Sequence, residues 1–409
     1  MKTPFQDRCI LLGVTGSIAA YKAADLASKL TQAGCRVEVI LTQAALQFIT
    51  PLTFQSVTGR RAYSDADLWG REGHVRHIGL GQSGDLLVIA PASANTIAKL
   101  AHGIADNLLT VTALAARCPL MLAPAMDAGM YAHPATQANL ELLKQRGALV
   151  VGPVEGHLAS GLVGLGRMVE PAELLGHIRL ALARGGPLEG RKVVVTAGGT
   201  QEPLDPVRFL ANRSSGKQGY ALAQAALDRG AEVVLISAPT HLSPPCGARC
   251  VPVNTAQDML EAVLAELPQA DVLIMAAAVA DFRPLAPAEH KIKRSGEVPE
   301  VRLEATPDIL AAVAEFKQRT HLPCLTIGFA AETRDLLTYA RTKLRAKHLD
   351  LLVANDITAP DAGFAVDTNR VILLDARGGE EHLPLLSKAE VADRILERVV
   401  ALLQEQKPG

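Results

Sequence analysis

Short apolar runs recur along the chain, and between them apolar residues return every three or four positions. The runs RCILLGV, RVEVILT, DLLVIAP, PLMLAPA and ALVVGP fall in the first half. KVVVTA, EVVLISA, DVLIMAA, LTIGFAA, DLLVAND and RVILLDA fall in the second. Such runs, with little polar alternation, predict strands buried on both faces of a sheet. The stretches between them predict helices over residues 19–33, 107–116, 134–146 and 171–183. In the second half helices are expected near 216–229, 256–266, 307–319 and 334–348. Gly34 and Gly147 stand just past helices, where a left-handed cap residue is wanted. The alternation predicts an α/β protein with two doubly wound, mostly parallel-sheet domains in tandem. Arg184-Gly185-Gly186-Pro187 breaks the pattern and sets the expected boundary between domains 1–186 and 187–409. Beyond a strand running into a glycine turn, the halves share no visible repeat.

Composition narrows the partners. Hydrophobic residues are 49% of the 409 but aromatics only 3%, so Ala, Leu and Val dominate, as in sheets covered by helices. A formal net charge of −1 gives no global field for nucleic acid, so any anion must be held locally. Cysteines at 9, 35, 118, 246, 250 and 324 form no C-x-x-C pair and read as free thiols in a reducing compartment. The first residues lack a signal-peptide layout, and no apolar run reaches about 18 residues. The expectation is a soluble, cytoplasmic protein without a membrane span.

In open α/β sheets, ligands bind beyond the carboxyl ends of strands, so the residues after each apolar run matter most. After the first run comes Gly13-Val14-Thr15-Gly16-Ser17-Ile18. Here Ser17 can cap a helix whose N–H groups face an anion. The G-x-G-x-x-G dinucleotide fingerprint is absent, and a plain linking turn fits as well. Pro91-Ala92-Ser93-Ala94-Asn95 follows a later run with hydroxyl and amide groups. In the second half, Ser214-Ser215-Gly216-Lys217 should open a helix toward an anion, but P-loop spacing fails. Lys343 and Lys347 lie four apart on one predicted helix, and His290-Lys291-Ile292-Lys293-Arg294 is a basic loop. Unaided, both also read as solvated surface.

The ordered stretches PASANTIAK, GIADNLLT and APAMD…MYAHPAT resemble the flavin-dependent cysteine decarboxylase family over roughly residues 5–183. The resemblance implies a flavodoxin-like domain that binds FMN. Gly16, Ser17, Ile18, Thr42, Pro91, Ser93, Asn95 and Met126 are its expected cofactor contacts. It also implies that His77, in HVRHIGL, is the base for the substrate thiol, and that CO₂ is lost from the oxidised substrate. The bland reading of His77 is a half-buried histidine, with His74 marking a solvated face. Two catalytic positions depart from the family. Asp127 replaces the usual Asn, so either it is protonated or it binds something other than the substrate carboxylate. Ser160, in the flap from 156 to 168, stands where many members carry a Cys acid. The paired change resembles a variant subgroup in which both positions differ together.

In the second half, AGGTQEP, NRSSGKQG, MAAAVADFRP, HKIKR, TPDIL, IGFAAET and Asn355-Asp356 resemble, in order, the phosphopantothenate–cysteine ligase family. The implied fold is Rossmann-like. The implied chemistry is CTP activation of 4′-phosphopantothenate with Mg²⁺, through an acyl-cytidylate that cysteine displaces. Catalysis is then expected at Asn212 and Lys291. Nucleotide contacts are expected at Met275, Ala276, Ala277, Asp281, Lys291, Pro307, Asp308, Ile309, Leu310, Phe329, Lys343 and Lys347. Asp281 is the possible metal-facing carboxylate. Together the halves imply a bifunctional enzyme of coenzyme A biosynthesis, with lyase and ligase activities. The families imply a homo-oligomer with its flavin site at a subunit interface. Rival readings are an active ligase with an inactive flavoprotein scaffold, or an FMN-binding protein without turnover.

Overall fold

The computed structural model describes residues 3–69, 76–293, 300–332, 336–356 and 367–405. His74, Arg294 and Thr333 lie outside the described residues. The chain divides into two compact units, Lys2–Leu182 and Ala183–Gly409. Among the described residues, no helix is long and apolar enough to cross a membrane.

The first unit contains strands β1 (Cys9–Val14), β2 (Arg36–Leu41), β3 (Ala62–Tyr63), β4 (Leu86–Ala92), β5 (Leu120–Pro124) and β6 (Leu149–Val150). They form one sheet in the order β3-β2-β1-β4-β5-β6, with every pairing parallel. Its helices are α1 (Ala20–Gln32), α2 (Pro51–Thr58), α3 (Arg76–Ser83), α4 (Ala94–His102) and α5 (Leu108–Ala115). Then come α6 (Ala128–Ala132), α7 (Pro134–Gln145) and α8 (Pro171–Ala183). Alternate residues of β1 feed two cores. Ile10, Leu12 and Val14 meet Leu26, Leu30 and Ile178, while Cys9 and Leu11 meet Ile97, Leu109 and Leu140. Side chains alternate across a strand, so helices must cover both faces.

The sheet changes winding direction between β1 and β4. The expected helix at 107 begins one residue later because Asn107 is its cap. The Asn107 side chain accepts from Thr110 N at 2.9 Å, and the Thr110 hydroxyl accepts from Asn107 N at 3.3 Å. Gly34 and Gly147 have φ of 97° and 90°, as caps of this kind require. The expected strand ALVVGP pairs only at β6, because Gly152 turns the chain at φ 76°. Beyond it, the glycine-rich flap is an antiparallel hairpin, β7 (Val154–His157) with β8 (Val163–Arg167).

In the second unit the strands are β9 (Lys192–Ala197), β10 (Gln201–Pro203), β11 (Phe209–Ala211), β12 (Glu232–Ser237), β13 (Arg249–Pro252) and β14 (Val272–Met275). Next are β15 (Phe282–Pro284), β16 (Leu303–Ala305), β17 (Leu325–Glu332) and β18 (Leu351–Asp356). The last are β19 (Thr368–Asn369), β20 (Val371–Asp375), β21 (Glu380–His382) and β22 (Leu386–Ser387). Its helices are α9 (Lys217–Leu227), α10 (Ala256–Glu266), α11 (Ile309–Thr320), α12 (Leu336–Ala346) and α13 (Lys388–Glu405). The eight-stranded sheet runs β13-β12-β9-β14-β17-β18-β20-β21. Its first six strands repeat the winding order of the first unit, which the sequence does not reveal. RVILLDA forms the expected strand, but antiparallel to β18. Two ribbons, β10–β11 and β15–β16, and the short pair β19–β22 stand outside this sheet. Helix α13 lies beyond the expected elements, although Val391, Ile395, Val399 and Leu402 are buried at helical spacing.

Candidate active sites

At the crossing between β1 and β4, Thr15 ties two loops together. Its buried hydroxyl donates to Pro91 O at 2.7 Å and accepts from Ser93 N at 3.0 Å. Ser93 in turn caps α4 by accepting from Thr96 N. Gly16 sits so close to Ala44 that a Cβ would lie 2.6 Å from the Ala44 Cβ. Thr42 lies on the same edge, its N–H donating to Val14 O at 3.0 Å. Ser17 accepts from Ala19 N at 3.2 Å rather than reaching further into the helix. Neither α1 nor α4 has an acidic residue in its first turn. Ile18 and Asn95 are exposed on this edge. Main-chain donors, hydroxyls and exposed apolar side chains suit a phosphorylated aromatic cofactor.

The hairpin β7–β8 closes on the loop after β5. Met126 N donates to Gly166 O at 3.0 Å, and a Cβ on Gly166 would lie 2.2 Å from Met126 O. At the hairpin tip, Ser160 Oγ donates to Asp127 Oδ2 at 2.6 Å. Gly129 N donates to the other carboxylate oxygen at 2.9 Å. The Ser160 hydrogen bond, then the Gly129 amide, holds the Asp127 carboxyl below the usual range. Both of its oxygens accept hydrogen bonds, the arrangement of a carboxylate. The two departures from the family pattern are one bonded pair. The buried Lys22 ammonium anchors the hairpin base, donating to Met168 O and Glu170 Oε1, both at 2.9 Å. His77 is half-buried on α3, and its Nδ1 is buried without a hydrogen-bond partner among the described residues. No hydrogen bond among the described residues joins His77 to Thr15, Ser93 or Asp127. Cys9, Cys35 and Cys118 lie at the amino ends of strands, opposite this edge. Burial, then the Asp85 charge, pushes the Cys35 thiol up to about 12. None of them stands in for the thiol missing at 160.

In the second unit the same crossing, between β9 and β14, opens into a cavity of ≈ 630 Å³. Threonines shape its floor. Ala277 N donates to Thr196 Oγ1 at 3.1 Å and Ala280 N to Thr200 Oγ1 at 2.9 Å, while Thr306 Oγ1 donates to Ala280 O at 2.6 Å. Met275, Ala276, Ala277 and Asp281 line one side. Pro307, Asp308, Ile309 and Leu310 line the start of α11, and Phe329 comes from β17. The turn Ser214–Gly219 brings the N-terminus of α9 to the opposite side. Gly219 allows this, because a Cβ there would meet Ala197 Cβ at 2.6 Å. Asn212 also lines the cavity, its Nδ2 donating to Val279 O at 2.9 Å.

The lysines differ from their expected arrangement. Lys343 and Lys347 both line the cavity, but each ammonium has an acceptor. Lys343 donates to Phe329 O at 2.9 Å, and Lys347 pairs with Asp308. Burial alone would raise the Asp308 carboxyl, but Lys347 and the Ala311 amide outweigh it and lower it. Asp308 also caps α11. Lys291 is exposed and outside the cavity lining, beside Ile292, whose N–H donates to Asp205 Oδ2 at 3.1 Å. Among the described residues no group of three His, Cys, Asp or Glu is placed to hold a metal, so Asp281 has no such cluster around it.

A family model described as "Flavoprotein" matches residues 2–182, and "DNA/pantothenate metabolism flavoprotein C-terminal domain" matches 188–403. The Coenzyme A biosynthesis bifunctional protein CoaBC of Bacillus subtilis is 46% identical over 402 residues, covering 98% of each chain. Its namesake from Mycobacterium tuberculosis is 46% identical over 406 residues, covering 96% of each. A crystal structure of the C-terminal domain of such a protein is 42% identical, covering 54% of this chain and all of that one, with a TM-score of 0.46. The chain belongs to the bifunctional coenzyme A biosynthesis family. It is a two-activity enzyme of that pathway, a decarboxylase joined to a ligase.

Within this family framework, sequence reasoning missed several residues. Thr15 sits inside a motif that drew attention to its glycines, yet its hydroxyl is the tie. Asp205 is buried and accepts from Val207 N and Arg208 N, both at 2.8 Å, which fastens one loop to the Lys291 loop. An Asp followed by Pro is a turn signal that could have flagged it. Asn369 and Lys388 line the cavity without belonging to any motif singled out, and Gln218 lines it from within NRSSGKQG, where it carried no expected role.

Proposed function

We propose that residues 187–409 join cysteine to 4′-phosphopantothenate with CTP and Mg²⁺, and that residues 1–186 decarboxylate the product to 4′-phosphopantetheine with FMN. The observation carrying this reading is the cavity at the β9/β14 crossing. It gathers a helix N-terminus, the Asn212 amide and two lysines around one space. A nucleotide-activated acyl transfer needs that set: cations and N–H groups for phosphates, and an amide for the acyl group. Asn212 holds the activated acyl group, and Lys343 and Lys347 meet phosphate charge, Lys347 by exchanging Asp308 for the nucleotide. Asp281, which lines the cavity, would face a metal carried in by the nucleotide. Lys291, exposed on its loop, would neutralise phosphate charge as it builds.

In the first half, FMN supplies the oxidising power for the substrate thiol. Gly16, Ser17 and Ile18 offer main-chain donors to its phosphate, and Thr42, Pro91, Ser93, Asn95 and Met126 surround it. His77 takes the thiol proton, using a ring whose Nδ1 awaits a partner. Ser160 has its proton committed to Asp127, so its role is to hold the hairpin down rather than to act as the acid. Exposed apolar side chains support a homo-oligomer. Ile18, Tyr21, Phe48 and Leu52 follow β1 and β2 on the flavin edge, which a second copy covers. Phe209, Phe282 and Leu303 do the same on the two ribbons. Six free thiols fit the cytoplasm.

The test is mass analysis of products after mixing purified protein with 4′-phosphopantothenate, cysteine, CTP and Mg²⁺. The expected product is 4′-phosphopantetheine. Accumulated phosphopantothenoylcysteine would sink the decarboxylase half of the reading, and no pyrophosphate release would sink the ligase half.

A further inference from the structure

A second cavity in the same unit, of ≈ 500 Å³, opens between the end of α12 and the turn from β20 to β21. Leu351, the first residue of β18, pairs with Asp375, which lines this cavity. The cavity therefore sits at the amino end of β18, whereas Asn355, near its carboxyl end, lines the first. Helix α12 shows the same division. Lys343 and Lys347 line the first cavity, and Arg341 and Arg345 line the second. At about 100° per residue the two pairs fall on opposite faces. Among the described residues, Arg341, Arg345, Arg377 and His348 line the second cavity against one carboxylate, Asp375. That carboxylate is buried and committed. Arg377 N and Gly379 N donate to its Oδ1, both at 2.9 Å, and Arg398 donates to its Oδ2 at 2.6 Å. Arg341 pairs with Glu380 at 2.6 Å and Arg377 pairs with Glu405, and neither glutamate lines the cavity. The exposed Arg345 and His348 side chains make no hydrogen bond or ion pair among the described residues. Nor are they needed to close α12, because His348 N donates to Arg345 O at 3.2 Å and Leu349 N to Leu344 O at 3.0 Å.

We propose that this second cavity binds an organic phosphate, with Arg345, His348 and Arg377 receiving the phosphate and Leu344, Leu349 and Leu374 lining its organic part. Guanidinium groups meet phosphate oxygens with paired N–H donors, and the imidazole adds another. A phosphate ester carries nearly two charges and three acceptor oxygens, enough for three such groups. A carboxylate carries one charge and two oxygens. The Arg377 side chain is 58% exposed, and an ion pair so exposed is weak, so Arg377 can leave Glu405 for the ligand. The leucines argue against a bare ion, and the volume lies within the roughly 300–1,000 Å³ of small-molecule sites. A nucleoside monophosphate and the 4′-phosphopantetheine of the reaction proposed above share this chemistry, and the experiment separates them. The inference itself does not use the ligase reading.

The experiment titrates the full-length protein, at about 0.15 M salt, with 4′-phosphopantetheine, AMP, inorganic phosphate and pantetheine. Readouts are the heat of binding and hydrogen exchange. One or both of the esters should slow exchange over residues 341–349 and 374–379, and the tighter one identifies the source. Pantetheine, which lacks the phosphate, should leave those residues unprotected. Inorganic phosphate should bind there at least about 10-fold more weakly than the ester. Arg345→Gln combined with His348→Gln should weaken ester binding about 10-fold or more. Thermal stability should hardly move, because both side chains are exposed and make no contact of this kind to lose. Protection by neither ester, or protection confined to residues 275–281 and 307–310 of the first cavity, would overturn the proposal. So would inorganic phosphate binding as tightly as the esters, or undiminished binding by the double variant.

Discussion

Both halves wind six strands of the main sheet in the same order and use the same device at the crossing. In each, a threonine at the end of the first strand or just beyond it hydrogen-bonds the end of the fourth strand or the loop that follows. Thr15 does so to Pro91 and Ser93, and Thr196 and Thr200 do so to Ala277 and Ala280. The difference lies in what remains unsatisfied. In the flavin half, Ser160 and Asp127 satisfy each other, while His77 Nδ1 is buried without a hydrogen-bond partner among the described residues. Among the described residues of the second half, three amide oxygens that line the cavity, on Gln218, Asn355 and Asn369, are buried without a hydrogen-bond partner. Strand order dictates where a ligand goes, and unsatisfied polar groups describe its chemistry.

If the two sites are separate, each can be destroyed alone. The largest effect is expected from Asn212→Asp, which turns the amide donor into a carboxylate facing Val279 O. Ligation should fall by roughly 10²–10³-fold, the loss typical of an essential polar contact to a reacting group. Decarboxylation of supplied phosphopantothenoylcysteine should be unchanged. A matching loss in both reactions would show that the halves depend on each other. The converse is His77→Asn. It should slow decarboxylation by about 10²-fold or more while pyrophosphate release continues at the parent rate.

The Asp127–Ser160 pair gives a smaller effect with a definite sign. Asp127 has its pKa lowered on folding, so its latch is fully made above the ordinary carboxylate value. It is lost only as pH falls below about 4, through the lowered value. Proteolysis or hydrogen exchange at residues 158–162 should report a closed tip at neutral pH that loosens on acidification. Asp127→Asn should loosen it at every pH and slow decarboxylation about 10-fold, because a neutral acceptor makes a weaker bond. Pairing that change with Ser160→Cys should recover more than the two single effects predict, as coupled neighbours do. Additive losses would deny that the two positions form a unit.

The alternation of apolar runs and helical stretches made the α/β class and most sheet strands legible, because strands buried on both faces leave little room for polar residues. Ribbons β10–β11 and β15–β16 escaped because Phe209, Phe282 and Leu303 are exposed and follow no core period. The shared winding order escaped because it is a property of pairing, which different side chains satisfy equally well. Asn212, Lys343 and Lys347, expected from their motifs, line one cavity, whereas Lys291 of the charged motif stands outside it. Thr15, Asn369 and Lys388 were not legible, because their importance comes from burial and from partners far away in sequence. The Asp127 and Ser160 departures were visible one at a time, and only the 2.6 Å contact explains why they go together.

Lys347→Met should have the smallest effect and is the most discriminating about the nucleotide cavity. The Lys347–Asp308 pair is partly exposed, with the Asp308 side chain at 51%. Such a pair is worth only about 0–1 kcal/mol, and Asp308 keeps its capping bond from Ala311 N at 3.0 Å. Thermal stability should therefore hardly move. The KM for CTP should rise only about 3- to 10-fold, because the lysine must leave one anion to meet another and recovers only the difference. Asp308→Asn should then act in the opposite direction, releasing Lys347 and lowering the KM for CTP, while its amide oxygen still caps α11. If both variants raise the KM equally, Asp308 itself contacts the nucleotide, and the ion pair is part of the bound state rather than a contact exchanged on binding.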